Sequence, residues 1–161
     1  MSALFRLLFS VSLLGILATC AKKETLAPTP APVAKHEHHA PHGGTPVVLG
    51  DEAYHLELVR NDAAGKLTAY VLDGELEDFV RVKAASFEID ATLGGAKQPL
   101  IFRAVANPAT GETVSDTSQF ETQADWLKTT AAFDATLITL EIRGTAFTAV
   151  AFNFPKGNDK D

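Results

Sequence analysis

Ala135-Thr136-Leu137-Ile138-Thr139-Leu140-Glu141-Ile142-Arg143-Gly144-Thr145-Ala146-Phe147-Thr148-Ala149-Val150-Ala151-Phe152-Asn153-Phe154 is the stretch that decides the fold class. Ile138, Leu140 and Ile142 fall on one side of an extended chain. Val150, Phe152 and Phe154 do the same on the return, and Arg143-Gly144 supplies a tight turn between them. Apolar residues at period two, rich in β-branched and aromatic types, spell a half-buried hairpin. Working back toward the start, the pattern repeats. Residues 45–49 form a short apolar run closed by Gly50-Asp51. In 54–60, Tyr54, Leu56 and Leu58 alternate with His55 and Glu57, and 61–65 turns into a second run at 66–72. A weak strand is expected over 79–82, clearer ones over 87–93 and 99–106, another at 118–122, and a short helical turn at 125–130. Short strands broken by turn residues, with no long amphipathic helix, point to an antiparallel sandwich or barrel. The expected fold is all-β: an immunoglobulin-like antiparallel β-sandwich of about 7–8 short strands over residues 45–156.

The other end of the chain reads differently. A basic start at Arg6 leads into the apolar run 7–18 and then small residues before Cys20, the one cysteine present. That is the layout of a secretory signal. The run is short for a membrane span, which needs about 20 apolar residues, although a plain anchor is the competing reading. Leu17-Ala18-Thr19-Cys20 resembles the lipobox of bacterial lipoproteins, with Thr19 where that motif has Gly, Ala or Ser. The resemblance implies cleavage of residues 1–19, lipidation of Cys20 and attachment to the membrane through that lipid anchor. Two acyl chains suffice for stable attachment. Ala21 follows Cys20, where an aspartate holds such proteins at the inner membrane. The implied address is therefore the bacterial cell envelope, on an outer membrane facing the periplasm.

Residues 20–44 carry Pro28, Pro30, Pro32 and Pro41 and few large apolar side chains. Such a segment cannot continue a helix or bury a core, and the expectation is a disordered, semi-rigid tether. Residues 157–161 read as a polar tail. Composition excludes several functions. The formal charge is −6, and past Lys22-Lys23 no basic cluster exists, so nucleic acid has no electrostatic footprint. With Cys20 acylated no thiol remains for a disulfide, a metal or a nucleophile. The single methionine leaves with the signal.

Histidine is where chemistry concentrates. The chain has five; His36, His38, His39 and His42 sit in the tether and His55 on the second strand. Neutral imidazole is the commonest metal ligand and suits zinc, copper(II), nickel and cobalt. Gly43 and Gly44 let the backbone wrap around an ion, and Glu37 can add an oxygen. His55 shares a face with Glu57 and can complete a site if the tether folds back, although by itself it reads as a surface strand residue. The spacing matches no closed zinc module. A His-rich tract is a compositional pointer to metal, and a solvated polar tether is the competing reading. Binding is expected to weaken as pH falls through about 6.5, where imidazoles protonate.

Several stretches resemble a group of small bacterial lipoproteins and the amino-terminal domain of heavy-metal efflux periplasmic adaptor subunits. They are Pro41-His42-Gly43-Gly44-Thr45, 50–57, 65–73, Gly144-Thr145-Ala146-Phe147 and 150–154. The resemblance covers roughly residues 36–156 and implies a periplasmic β domain with a metal-handling leader, acting beside metal-efflux components. The chain has no heptad-patterned helices for an adaptor's coiled coil, so a stand-alone accessory is what remains.

Other chemistry finds little footing. Asp73, Glu75, Glu77 and Asp78 cluster after the third strand, but without an EF-hand ligand pattern they read as a solvated loop. No nucleophile elbow and no phosphate-binding glycine motif is present, and no catalytic residue is assigned: the expectation is a non-enzyme. Trp126 reads as a core or edge-packing residue. The functional expectation is a lipid-anchored envelope protein binding a divalent transition metal through the tether. The alternative is a docking module whose histidines are incidental.

Overall fold

The computed structural model describes residues 39–159. The signal, Cys20, the Pro-rich stretch and three candidate ligands, His36, Glu37 and His38, lie outside the described residues. Within them run β1 (Thr45–Leu49), β2 (Tyr54–Asn61), β3 (Lys66–Asp73), β4 (Ser86–Leu93), β5 (Ala96–Ala104), β6 (Gln119–Gln123), β7 (Phe133–Ile142) and β8 (Thr145–Phe154). A single turn of 3-10 helix, Asp125–Lys128, precedes β7. The 79–82 segment makes isolated bridges and no strand, Phe79 to Leu72 and Val82 to Thr117.

Every pairing is antiparallel, so the all-β antiparallel architecture expected from the alternation is the one formed. The order is β1-β2-β3-β6-β5-β4-β7-β8 in one sheet. β4, β5 and β6 follow one another as a meander, and β7 returns beside β4, which is a Greek key. β5 and β6 join through the pairs Arg103–Glu121 and Ala104–Phe120. That short pairing joins β1-β2-β3-β6 to β5-β4-β7-β8 in one continuous sheet. Because β1 also approaches β8, the whole is a nearly closed barrel.

Burial of one face explains the register. Val47, Leu49, Leu56, Leu58, Leu67, Ala69 and Val71 fill one side of the core, and Phe87, Ile89, Leu100, Phe102 and Leu137 meet them from the other. Phe87 stacks on Phe102, and Phe120 meets Phe87 edge-on, each pair at 5.0 Å. These rings fill the core where β4, β5 and β6 run side by side. Trp126 packs edge-on against Phe133 at 5.2 Å and lies partly buried against the core. Its 3-10 turn is held to β2 by Arg60, whose Nε donates to the Leu127 carbonyl at 2.7 Å.

The decisive hairpin departs from simple alternation. Opposite Glu88 and Ile89 of β4 stand Thr139 and Leu137 of β7, so Ile138 is an extra, bulged residue. A bulge reverses which parity faces inward. Leu137, not Ile138, is buried, and Ile138 is 39% exposed, while Leu140 and Ile142 remain inside. Across the hairpin Ala149 has φ +53°, and the inward set of β8 likewise shifts from Phe147 to Val150, Phe152 and Phe154. Three residues thought to share a face therefore do not.

The expected polar tail is also part of the fold. Gly157 exchanges backbone hydrogen bonds with Asn153. The Val48 N–H donates to Asn158 Oδ1 at 2.7 Å, and Asn158 Nδ2 donates to the Val48 carbonyl at 3.1 Å. The side-chain amide thus takes the place of a neighbouring strand on the edge of β1. An unmatched edge is a liability that proteins cover. Asn158→Ala removes both bonds; the expected loss is about 1–3 kcal/mol in urea unfolding, and an unchanged midpoint would show that the seam holds without them.

Candidate functional site

β2 is buried on both faces. Leu56 and Leu58 point into the core, while His55 and Glu57 point to the opposite side and are still 2% and 0% exposed. The cover comes from chain segments folded over the outer face of β2 and β3. On the Glu57 side it is the segment just before β1. The Gly43 N–H donates to the Ala40 carbonyl, making a turn. The N–H groups of His42 and Gly44 then converge on Glu57 Oε1 at 2.7 and 2.9 Å. His42 Nδ1 lies 2.7 Å from Glu57 Oε2. A buried carboxylate costs several kcal/mol unless its lone pairs are met, and here three donors meet it.

The two glycines have specific tasks. Gly43 has φ +66°, a left-handed conformation that a side chain disfavours. A Cβ on Gly44 would sit 2.7 Å from the Leu58 carbonyl oxygen and 2.8 Å from Glu57 Cγ. The wrapping expected of Gly43-Gly44 does occur, but around a carboxylate of the protein itself. The segment 40–44, read from sequence as tether, is thereby built into the domain.

An ionised carboxylate only accepts, so with Glu57 ionised His42 Nδ1 is assigned as the donor to Oε2. The neutral ring then carries its lone pair on Nε2. Its plane is held as well. His42 stacks on Tyr70, the cross-strand partner of Glu57, with centroids 3.9 Å apart, and Phe79 tilts against it at 5.7 Å. Burial, then the charges of Glu121 and Glu57, push the Tyr70 phenol above its usual range; Lys66 opposes them.

These three rings form one wall of a cleft of about 390 Å³ whose other wall includes Arg81, Asn107 and Gln119. The far wall is built on a second buried carboxylate. Glu112 Oε1 accepts from the Ser118 amide and hydroxyl, each at 2.7 Å, and Oε2 from the Thr110 hydroxyl at 2.6 Å. Arg81 lies 4.0 Å from Glu112 and 3.7 Å from Asp116, and its Nη2 donates to the Thr110 carbonyl. Burial pushes the Glu112 carboxyl up, but the hydroxyls of Thr110 and Ser118, the Ser118 amide and the Arg81 charge together outweigh it and hold it below its usual range.

The candidate ligands separate. His42 is at the cleft with 37% of its side chain exposed, and His39, three positions earlier, is exposed. His55 is not the surface strand residue expected: it is buried, with Nδ1 3.1 Å from the Asp73 carbonyl oxygen. Leu72 and Leu76, buried outside the main core, belong to the same outer layer. Glu57, expected to act beside His55, instead binds His42. The acidic loop has a structural explanation: Asp73 Oδ1 accepts from the amides of Glu77 and Asp78 and folds it. Among the described residues no group of three or more His, Cys, Asp or Glu could hold a metal ion. Glu112, Arg81 and Phe79 carried no sequence signal as site residues, since each sits in a connection between strands. Comparison with family models, with curated proteins and with solved structures finds no match.

Glu112 leads to a pH prediction. Its folded-state pKa is depressed, so it contributes stability above the usual 4.5, and that contribution is lost as pH falls from there through the folded value. Glu112→Gln should melt lower than the parent at neutral pH and lose less stability on acidification. Parallel acid profiles of Tm for the two proteins would contradict this.

Proposed function

We propose that this chain is a lipid-anchored protein of the bacterial envelope that binds a divalent transition metal through His36, His38, His39 and His42, as an accessory to metal efflux or homeostasis. The observation that carries the reading is His42. Its ring is held against the domain by Glu57 at 2.7 Å and by Tyr70 at 3.9 Å, and a metal-bound histidine typically gives its other ring N–H to such a partner. The His-rich run thus meets the folded domain at one ordered imidazole. The envelope address rests on the lipobox-like sequence at Cys20. The reading assigns no catalytic turnover, and zinc, copper(II), nickel and cobalt are its candidate ions. His55, buried with its Nδ1 3.1 Å from the Asp73 carbonyl oxygen, drops from the ligand set, and Glu57 enters as a partner of His42.

The second reading, a docking module with incidental histidines, draws on Phe79, which is 49% exposed on the cleft wall. Under it, Phe79→Ala would abolish association with an envelope partner and leave metal uptake unchanged.

Calorimetric titration of the mature polypeptide from Ala21 onward with the four ions separates the two. Binding that disappears when His36, His38, His39 and His42 are all alanine is the expected result and ranks the ions. Equal uptake by both proteins, or none by either, would overturn the metal reading. For the anchor, Cys20→Ser should move the protein out of the membrane fraction and abolish labelling by an alkynyl fatty acid.

A further inference from the structure

The cleft of about 390 Å³ is of the size of small-molecule sites, which pair aromatic walls with a few placed polar groups. Its formal charges are already engaged inside the protein. Glu112 collects the Thr110 and Ser118 donors. Arg81 sits beside Glu112 and Asp116, and its Nη2 donates to the Thr110 carbonyl. What the cleft leaves open is neutral. Asn107 Oδ1 accepts from the Ala109 amide at 3.1 Å, which leaves its Nδ2 as a donor. Gln119 Nε2 donates to Glu121 at 3.2 Å, which leaves its Oε1 as an acceptor. Both amides are oriented by these bonds. Among the described residues Asn153 Oδ1 is the only buried side-chain polar atom without a partner, so the free amide atoms of Asn107 and Gln119 are reached by solvent. Beside them the Phe79 ring is 49% exposed.

The same surroundings narrow the ligand. Phe79 is inclined 54° to His42 and 64° to Tyr70. Rings set at such angles cannot sandwich a flat molecule, whereas a puckered ring can rest one C–H face on Phe79. The charges of Glu121 and Glu57, which with burial raise the Tyr70 phenol, disfavour an anion. Arg81 on the opposite wall disfavours a cation. A lone donor and a lone acceptor suit hydroxyl groups, which serve as either. A neutral sugar combines an apolar C–H face with a rim of hydroxyls.

We propose that this cleft is a carbohydrate-binding site for a neutral pyranose, with Phe79 as the stacking platform and Asn107 Nδ2 and Gln119 Oε1 as hydrogen-bonding groups. None of the three is a ligand in the metal reading above, so the site stands or falls independently of it. The proposal also gives an occupant to an aromatic ring that the fold leaves half open.

The test is ¹H–¹⁵N correlation of the mature polypeptide in the presence of EDTA. It is titrated with D-glucose, D-galactose, D-mannose and N-acetyl-D-glucosamine, with glucosamine and glucuronic acid as charged counterparts. At least one neutral sugar should shift the side-chain amide signals of Asn107 and Gln119 saturably. Asn107→Asp keeps the acceptor for Ala109 and removes the donor. Phe79→Ala removes the platform at an exposed position. Each should weaken that binding by about tenfold, and thermal melts establish that the variants fold; either one decides if the other does not. Absence of a saturable shift with all four neutral sugars would overturn the proposal. So would binding that the folded variants retain unchanged, which puts the sugar elsewhere on the protein. Tighter binding of glucosamine or glucuronic acid than of any neutral sugar would overturn it too.

Discussion

A carboxylate with no exposed surface sets the terms for one whole flank of this protein. Glu57 occupies the outward parity of β2, where a solvent-facing strand would leave it hydrated. Here it is covered, and burial of an ion is tolerated only when its lone pairs find donors. The donors come from the five residues before β1, so the chain must arrive at the barrel by way of Glu57. The turn at 40–43, the left-handed Gly43, the close approach of Gly44 and the orientation of His42 follow from that requirement. Tyr70, directly across from Glu57 on β3, completes the arrangement by covering the imidazole.

The cleft repeats the same physics with another acid. Glu112 organises the long β5–β6 connection by collecting a backbone amide and two hydroxyls, and Arg81 bridges it to the β3–β4 connection. The two buried carboxylates differ in what they fix. Glu112 closes a loop on itself and adds stability, as its depressed pKa implies. Glu57 instead orders a side chain with chemistry of its own. Both connections lie outside the β-ladder, so their order depends on these polar centres and on the isolated bridges Val82–Thr117 and Leu72–Phe79.

The barrel beneath is closed by modest means. Its halves share two residue pairs at β5–β6, and a side-chain amide bridges toward β1 at the other seam. Continuity of the core, and above all the Phe87, Phe102 and Phe120 cluster, has to supply what the ladder does not. Burying a side chain of that size contributes about 1.5–3 kcal/mol, more than a net hydrogen bond at about 0.5–1.5 kcal/mol. Polar seams can therefore remain short without opening the structure.

Strand identity was legible from local pattern. The ends of β1 and β8, the 3-10 turn and the antiparallel all-β class all follow from period-two alternation and turn residues, because each is a property of a few neighbouring side chains. The His-rich run was equally plain, but Pro41-His42-Gly43-Gly44 read as the end of a tether, whereas it forms a turn against Glu57. What the sequence could not decide was anything requiring two distant segments. The bulge at Ile138 depends on the register against Glu88 and Ile89, so alternation alone grouped Ile138 with Leu140 and Ile142, although Leu137 is the buried residue. Asn158 looked like tail because its partner, Val48, lies 110 residues away. His55 looked exposed because nothing local announces that the outward face of β2 is buried there. Glu57 was read with His55, its neighbour on the strand, whereas the tertiary structure gave it to His42. Between bulges, a strand's alternation tells which residues share a face; only folding of the remaining chain tells what covers that face, and here the cover carries the candidate ligand.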